Sequence, residues 1–288
     1  MITLSIHWNP DPILFHLGSF GIRYYSLLFV VAFVVGLHFM KKIFINDKVS
    51  LEKLDPLFMY TILSMFLGMR LGEVFFYSWD YYQHHLLEIL LPIKEDPKGT
   101  LLWIIEGYRF TGFQGLASHG AAVGIIIGLY LYSKNILKMP LLWLLDRIAI
   151  VVTFAGFCVR MGNLMNSEIY GKPTNLAIGF VFERAGETIP RHPTQIYEAL
   201  SYLVLFFIVW FLYWKTDVKK NTGMLFGFAF ATLWSIRFVI EFVKEAQVEG
   251  REDWVFGLNT GQVLSIPLIA IGLYFIVRKR AINVFFTH

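Results

Sequence analysis

The chain has 288 residues, of which 56% are hydrophobic and only 16% are charged. Soluble domains carry about 25% charged residues, so this composition excludes a disordered chain and argues against a soluble globular domain. The single cysteine excludes a disulfide framework and a cysteine zinc cluster. The net charge of +4 does not indicate a nucleic-acid partner, because the charges are scattered between apolar runs. The composition predicts a polytopic membrane protein.

Seven apolar stretches are long enough, or nearly so, to cross a bilayer, which takes roughly 20 residues of helix. In chain order we predict spans at 24–44, 57–77, 119–132, 141–159, 196–214, 224–243 and 261–277. The expected fold is an all-α polytopic membrane protein with seven transmembrane helices, formed by a single integral membrane domain over 1–288.

Basic residues predict the orientation, because cytoplasmic loops are enriched in Lys and Arg. They cluster after the first, third and fifth spans and in the C-terminal tail, at Lys41, Lys42, Lys48, Lys53, Lys134, Lys138, Lys215, Lys219, Lys220, Arg278, Lys279 and Arg280. We therefore expect the N-terminus outside and the C-terminus in the cytoplasm. No basic residue precedes Arg23, so we expect no cleavable signal peptide.

Two long connections, 78–118 and 160–195, fall on the outer side in this arrangement. Both are rich in Gly, Pro and polar residues, and connections of this length are usually functional or disordered. We expect them to form extracytoplasmic loops and a small subdomain with some β structure.

Charged side chains within spans are costly and mark candidate functional sites. Arg70 and Glu73 are three residues apart, and Arg237 and Glu241 are four apart, so each pair shares a helix face. Two interpretations stay open for them, internal neutralisation between helices or a role in a binding site.

The segment 160–174 is the most unusual stretch, because it places Arg160, Asn163, Asn166 and Glu168 at the outer end of the fourth span. No acid lies at helical spacing before Arg160, and a guanidinium suits phosphate because it donates two parallel hydrogen bonds. Arg160 and Arg237 together would form a phosphate clamp. The alternative is a polar loop leaving the membrane, which does not explain so many large polar groups beside Arg160.

His119 opens the third span and has two interpretations. A histidine there is suited to general-base chemistry near neutral pH. Alternatively it caps the helix, in which Gly120, Gly124 and Gly128 follow at four-residue spacing as a helix-packing ridge.

The segment 191–198 enters the fifth span, where Thr194 is expected to cap the helix and Tyr197 fits an interfacial aromatic position. Capping alone does not require His192, Gln195 and Glu198 together.

These stretches together resemble the prolipoprotein diacylglyceryl transferase family, whose signature runs Gly-Arg-x-Gly-Asn-x-x-Asn-Gly-Glu-x-x-Gly. Here the corresponding segment begins at Val159 and reads Arg160-Met-Gly-Asn-Leu-Met-Asn-Ser-Glu-Ile-Tyr-Gly171. The other matching segments are Tyr24-Tyr25, Gly68-Met-Arg70-Leu-Gly72, His119-Gly120-Ala121, Arg191-His192-Pro193-Thr194-Gln195-Ile-Tyr197-Glu198, Arg237 with Glu241, and Gly261-Gln262-Val-Leu264-Ser265-Ile-Pro267. The departures are Val159, Ser167 and Ala121 at family glycines and Leu233 at a family tyrosine.

The resemblance implies that a diacylglyceryl group moves from phosphatidylglycerol to the lipobox cysteine of a prolipoprotein signal peptide. It also implies a thioether product, release of glycerol phosphate, and no metal or organic cofactor. The implied place is the bacterial cytoplasmic membrane, among membrane lipids, with the site toward the outer leaflet. We expect a monomer.

Roles follow from the resemblance together with the residue types. We predict His119, Arg160, Arg237 and Tyr25 as catalytic: a base, two groups that stabilise the leaving phosphate, and a hydrogen-bond donor. The predicted substrate-binding residues are Arg160, Asn163, Asn166, Glu168, Gly171, Arg70, Glu241, His192, Gln195 and Tyr197. The alternatives are a non-catalytic phospholipid carrier or receptor and an inactive member of the family.

Overall fold

The computed structural model describes residues 5–18, 20–101, 105–112, 115, 117–245 and 255–278. Parts of the first predicted connection, and Lys279 and Arg280 of the predicted cytoplasmic tail, lie outside these residues. The helices in the described part are α1 (Tyr24–Asn46), α2 (Leu54–Phe76), α3 (Trp79–Tyr82), α4 (Leu87–Leu90), α5 (Ser118–Tyr132), α6 (Leu141–Met165), α7 (Thr194–Lys215), α8 (Met224–Ile240) and α9 (Thr260–Val277). A π-helical turn, Ser133–Leu137, extends α5.

Each predicted span corresponds to a helix. Six helical segments are long and apolar enough to cross a membrane, and α8, with 17 residues, is a shorter apolar helix. The chain is therefore a mostly helical, multi-pass membrane protein.

Several helix ends differ from the predicted bounds by two or more residues, among them the C-terminal ends of α6 and α8. Helix α6 runs to Met165 rather than 159, so Arg160 and Asn163 lie on the helix and not in a loop. The polar side chains of Arg160 and Asn163 do not end the helix, because they hydrogen-bond to each other. Helix α8 ends at Ile240 rather than 243, where Val243 N–H donates to the Ile240 carbonyl at 3.0 Å in a tighter turn.

Short strands lie outside the long helices. They are β1 (Ile6–Trp8), β2 (Ile13–Leu17), β3 (Phe20–Arg23), β4 (Ile93–Leu101), β5 (Ile105–Phe110) and β6 (Phe180–Phe182). β2 pairs antiparallel with β3, and β4 with β5, while β1 pairs parallel with β6. The indole of Trp8 packs on Phe180 and donates to the Leu164 carbonyl at 3.0 Å, so the N-terminal strand covers the end of α6.

The chain divides into two compact units. The first contains Met1–Asn46 and Leu145–His288, and the second contains Asp47–Leu144. In the second unit α2 packs directly on α5 through glycines. A Cβ at Gly120 would meet the Gly68 carbonyl oxygen, and one at Gly124 would meet the Ser64 carbonyl oxygen. The predicted glycine ridge is confirmed, because only hydrogen at these positions lets the two backbones approach so closely.

The close packing of α5 on α2 predicts the effect of adding one methyl group. Gly124→Ala should destabilise the protein by about 1–3 kcal/mol, the usual cost of overpacking, and lower the melting temperature in detergent. Ala122→Val is the matched control, because Ala122 is exposed on the same helix and the change adds more volume. Equal melting temperatures for the two variants would contradict the packing role.

Candidate functional site: a charge network beside a helix end

Arg160 lies near the C-terminal end of α6 and is held by side chains on two sides. Its Nε is 2.8 Å from Oε2 of Glu198, a fully buried residue on α7. Its Nη1 donates to Oδ1 of Asn163 at 3.2 Å, one turn further along α6. The sequence offered no partner before Arg160 on its own helix. The acid comes instead from another helix, which residue spacing cannot reveal.

The chain folds back on itself where α6 ends. Glu168 N–H donates to the Asn163 carbonyl at 3.0 Å. The Glu168 carboxylate then accepts from Asn163 Nδ2 at 2.8 Å and from Asn166 Nδ2 at 3.3 Å. Ser167 has φ = 54°, in the left-handed region. This backbone explains the family's glycine at that position, since glycine adopts positive φ at little cost.

The N-terminal end of α7 holds this turn from the other side. Gln195 Nε2 donates to the Glu168 carbonyl at 2.7 Å. The expectation that Thr194 caps α7 is wrong. Pro193 occupies the N-cap position, and the Thr194 hydroxyl donates to the Ile169 carbonyl at 3.0 Å. The hydroxyl therefore joins two segments instead of closing a helix end.

Gly171 and His192 meet in the same segment. Gly171 N–H donates to the His192 carbonyl at 2.8 Å, and a Cβ at Gly171 would lie 2.7 Å from the His192 Cβ. His192 Nδ1 lies 3.3 Å from the Tyr197 hydroxyl. Gly171 is thus required for a close approach of chain segments, and its predicted contact with substrate stays a prediction.

Arg237 and Glu241 form the pair that their spacing predicts, with Arg237 Nε 3.5 Å from Glu241 Oε1. Sequence reasoning missed the next partner, Lys244. Its Nζ lies 3.5 Å from Glu241 Oε1 and 3.5 Å from Glu198 Oε1, and its side chain is fully buried. The available signal was its position three residues after Glu241. Burial lowers the pKa of Lys244, and the neighbouring Glu198 counteracts this effect.

These contacts make a continuous series of alternating charges, here called the charge network. In order its members are Arg160, Glu198, Lys244, Glu241 and Arg237. Buried ions are costly unless they are paired, and here each carboxylate contacts two cations. The network joins α6, α7, α8 and the segment after α8. It connects through Asn163 to the turn at Glu168.

Tyr25, on α1, packs against the same region of α6. A Cβ at Gly162 would lie 2.6 Å from Cδ2 of the Tyr25 ring, so glycine in the signature makes room for this ring. The hydroxyl of Tyr25 interacts electrostatically with the charged side chains of Glu168 and Arg160. Tyr25 therefore lies beside the segment that carries the predicted site.

Arg70 and His119 belong to the second unit. Arg70 is buried, donates through Nε to the Ile89 carbonyl at 2.8 Å, and lies 4.6 Å from the centre of the Tyr82 ring. It thereby organises the connection after α2. The side chain of His119 is exposed at the second residue of α5. Ala117, not His119, occupies the N-cap position, so the capping interpretation of His119 is wrong.

One group in the second unit has the composition of a metal site. Ligand atoms of His85, Glu88 and Glu95 lie within 4.8 Å of one another. Both oxygens of the buried Glu88 carboxylate are already engaged, by the Tyr81 hydroxyl at 2.8 Å and by Glu95 N–H at 2.7 Å. Burial and Glu88 raise the pKa of Tyr81 to about 12, which keeps its hydroxyl a donor. Hydrogen bonding accounts for the cluster, and we assign it no metal.

Comparison with known proteins gives a consistent result over almost the whole chain. The sequence model of a family described as prolipoprotein diacylglyceryl transferase matches residues 12–278. A phosphatidylglycerol–prolipoprotein diacylglyceryl transferase of Bacteroides fragilis is 41% identical, with 95% of each chain covered. Proteins of the same name from Chloroherpeton thalassium and Tolumonas auensis are 37% and 35% identical. The first covers 95% of this chain and 94% of its own length, and the second covers 93% and 95%.

The family match and the identities agree with the fold and with the charged segment at the end of α6. The chain belongs to the prolipoprotein diacylglyceryl transferase family.

Proposed function

We propose that this protein transfers the diacylglyceryl group of phosphatidylglycerol to the lipobox cysteine of prolipoproteins, the first step of lipoprotein maturation. The observation that carries the proposal is the setting of Arg160. Its guanidinium is fixed by the buried Glu198 and by Asn163 within the family signature. The names of the matched relatives support a transferase over a carrier.

The reaction is a displacement at the glyceryl carbon that carries the phosphate. The cysteine sulfur forms an S–C bond while the C–O bond to phosphate breaks. The electron pair of that bond goes to the phosphate oxygen, and the thiol proton passes to a base. Glycerol phosphate leaves with an additional negative charge, so the site must stabilise charge that develops on the phosphate.

Arg160 and Arg237 are placed to provide this stabilisation. A guanidinium has five N–H donors, and Arg160 directs only part of them to Glu198 and Asn163. Arg237 has a side chain that is 28% exposed and turns its Nε toward Glu241. Donors on both arginines therefore remain for phosphate oxygens.

The neutral amides beside Arg160 fit the glycerol headgroup. Oδ1 of Asn166 and Oε1 of Gln195 are buried acceptors without a hydrogen-bond partner in the described part of the chain. Buried acceptors are normally satisfied, and the hydroxyls of a glycerol headgroup are donors. In this proposal Asn163 and Glu168 fix the two acceptors. Gly171, His192 and Tyr197 shape the wall beside them, and Glu241 supports the site through its contacts with Arg237 and Lys244. The substrate-binding role of Arg70, whose contacts described above lie within the second unit, stays a prediction.

His119 and Tyr25 complete the proposed chemistry. A free cysteine thiol has a pKa near 8.5, so attack near neutral pH needs a base, and the exposed imidazole of His119 is suited to accept the proton. Tyr25 would donate to a phosphate or ester oxygen.

We further propose seven spans with the N-terminus outside, in the bacterial cytoplasmic membrane. The 17 residues of α8 reach about 26 Å at 1.5 Å per residue, which is the lower limit for a span. In this orientation Arg160 and the turn after α6 lie toward the outer leaflet. Phosphatidylglycerol and the signal peptide both enter from the membrane.

The phosphate role of Arg160 can be measured with purified protein in phosphatidylglycerol micelles and a lipobox peptide. Arg160→Ala should lower kcat/KM by about 10²–10³-fold, the usual loss for one oxyanion donor. Arg160→Lys should recover little, because an ammonium lacks the planar fork.

The assay reads the mass gain of one diacylglyceryl unit on the peptide, with a Cys→Ser peptide as the acceptor control. Arg184→Ala removes an exposed arginine and serves as the protein control. An Arg160→Ala variant within threefold of wild type would refute the clamp. A folded wild type that binds the lipid without transfer would favour the carrier or inactive-homologue alternative.

The role of His119 can be tested through pH. His119→Gln should lower the rate at pH 7 by about 10²-fold, as expected for loss of a general base. The deficit should shrink as the pH rises through about 8.5, because the peptide thiol then ionises without help. His84→Gln, at another exposed histidine, is the control. A deficit that stays constant with pH would instead mean that His119 orients substrate.

A further inference from the structure

Lys244 is a buried cation that the proposed mechanism does not use. Its side chain is 1% exposed, and its ammonium lies 3.5 Å from one oxygen each of Glu198 and Glu241. These two carboxylates are the partners of Arg160 and Arg237. Lys244 is therefore the link between two arginines that lie on different helices.

The backbone of Lys244 is held in place by the turn that follows the signature. Gly171 and Lys244 form an antiparallel bridge, Lys172 N–H donates to the Val243 carbonyl at 2.8 Å, and Glu245 N–H donates to the Tyr170 carbonyl at 3.3 Å. Such a bridge fixes the position of the Lys244 Cα. The flexible side chain of Lys244 therefore starts from a fixed position, from which its ammonium contacts both Glu198 and Glu241.

The charge balance shows what Lys244 contributes. Two carboxylates between two arginines would be neutral, and Lys244 brings the directly paired charges to a net +1. A phosphodiester carries one negative charge at neutral pH, so it would neutralise the network. Glu168, the next acid, is exposed and contacts Arg160 only through Asn163.

We propose that Lys244 is a positioning residue for diacylglyceryl transfer. It holds Glu198 and Glu241 so that Arg160 and Arg237 stay oriented toward one phosphate, and it supplies the charge that makes the network an anion site. Without it, each carboxylate would be free to draw its arginine away from the lipid. This inference rests on the proposed function.

The test compares Lys244→Arg, Lys244→Gln and Lys244→Met in the micelle assay with the lipobox peptide. Arginine keeps the charge, glutamine keeps hydrogen-bond donors without the charge, and methionine keeps the volume of the stem. Folding is followed by gel filtration and melting temperature, and kcat and KM for phosphatidylglycerol are separated.

We expect Lys244→Arg to stay within about threefold of wild type. Lys244→Gln and Lys244→Met should lose at least about 30-fold in kcat/KM, with most of the loss in kcat, because the arginines act on charge that develops in the transition state. If Lys244 only filled space, the order of activities would be reversed. Lys244→Met would then be the most active variant, since methionine matches the stem of lysine and arginine is larger.

The remaining outcomes decide against the inference. Wild-type activity in Lys244→Gln, or equal losses in Lys244→Arg and Lys244→Gln, would overturn the positioning role and leave the proposed function intact. If Lys244→Gln and Lys244→Met fail to fold while Lys244→Arg is folded and active, Lys244 contributes to stability alone. A folded wild type without transfer would overturn the proposed function and this inference with it.

Discussion

The organisation of the site depends on the buried carboxylate of Glu198. A charge removed from water inside a membrane protein must be compensated by cations at close range. Arg160 from α6 and Lys244 from the segment after α8 both lie against it. Two parts of the chain that are distant in sequence thus converge on one acid, which lies on a third part, and the direction of Arg160 follows from that convergence.

The turn after α6 meets a second requirement, the placement of neutral groups next to charged ones. Glu168 folds back onto Asn163, and this needs a left-handed residue at Ser167, where the family has glycine. Serine adopts that conformation here, so the departure from the signature leaves the backbone path intact. The departure therefore gives no physical reason to regard the chain as an inactive homologue.

The sequence predicts what local periodicity encodes. Apolar runs predict the helices, four-residue spacing predicts the Arg237–Glu241 pair, and the glycine ridge predicts the contact of α5 with α2. It does not predict Glu198 as the partner of Arg160, because that contact joins two helices. Lys244 was missed for a related reason. It follows the apolar run, where lysine is ordinarily exposed, and only tertiary structure buries it.

The two halves of the site recognise different parts of one lipid in the proposed function. In that proposal the charge network, with a formal net charge of +1, binds the phosphate. The amide oxygens of Asn166 and Gln195, which accept no hydrogen bond within the described residues, accept from the headgroup hydroxyls. A site whose buried acceptors bind a ligand hydroxyl discriminates strongly against a ligand without one, because those acceptors are then left unpaired. Charge alone would accept any anionic lipid. In the proposed function, selection of a glycerol headgroup among anionic phospholipids therefore rests on the acceptors beside Arg160.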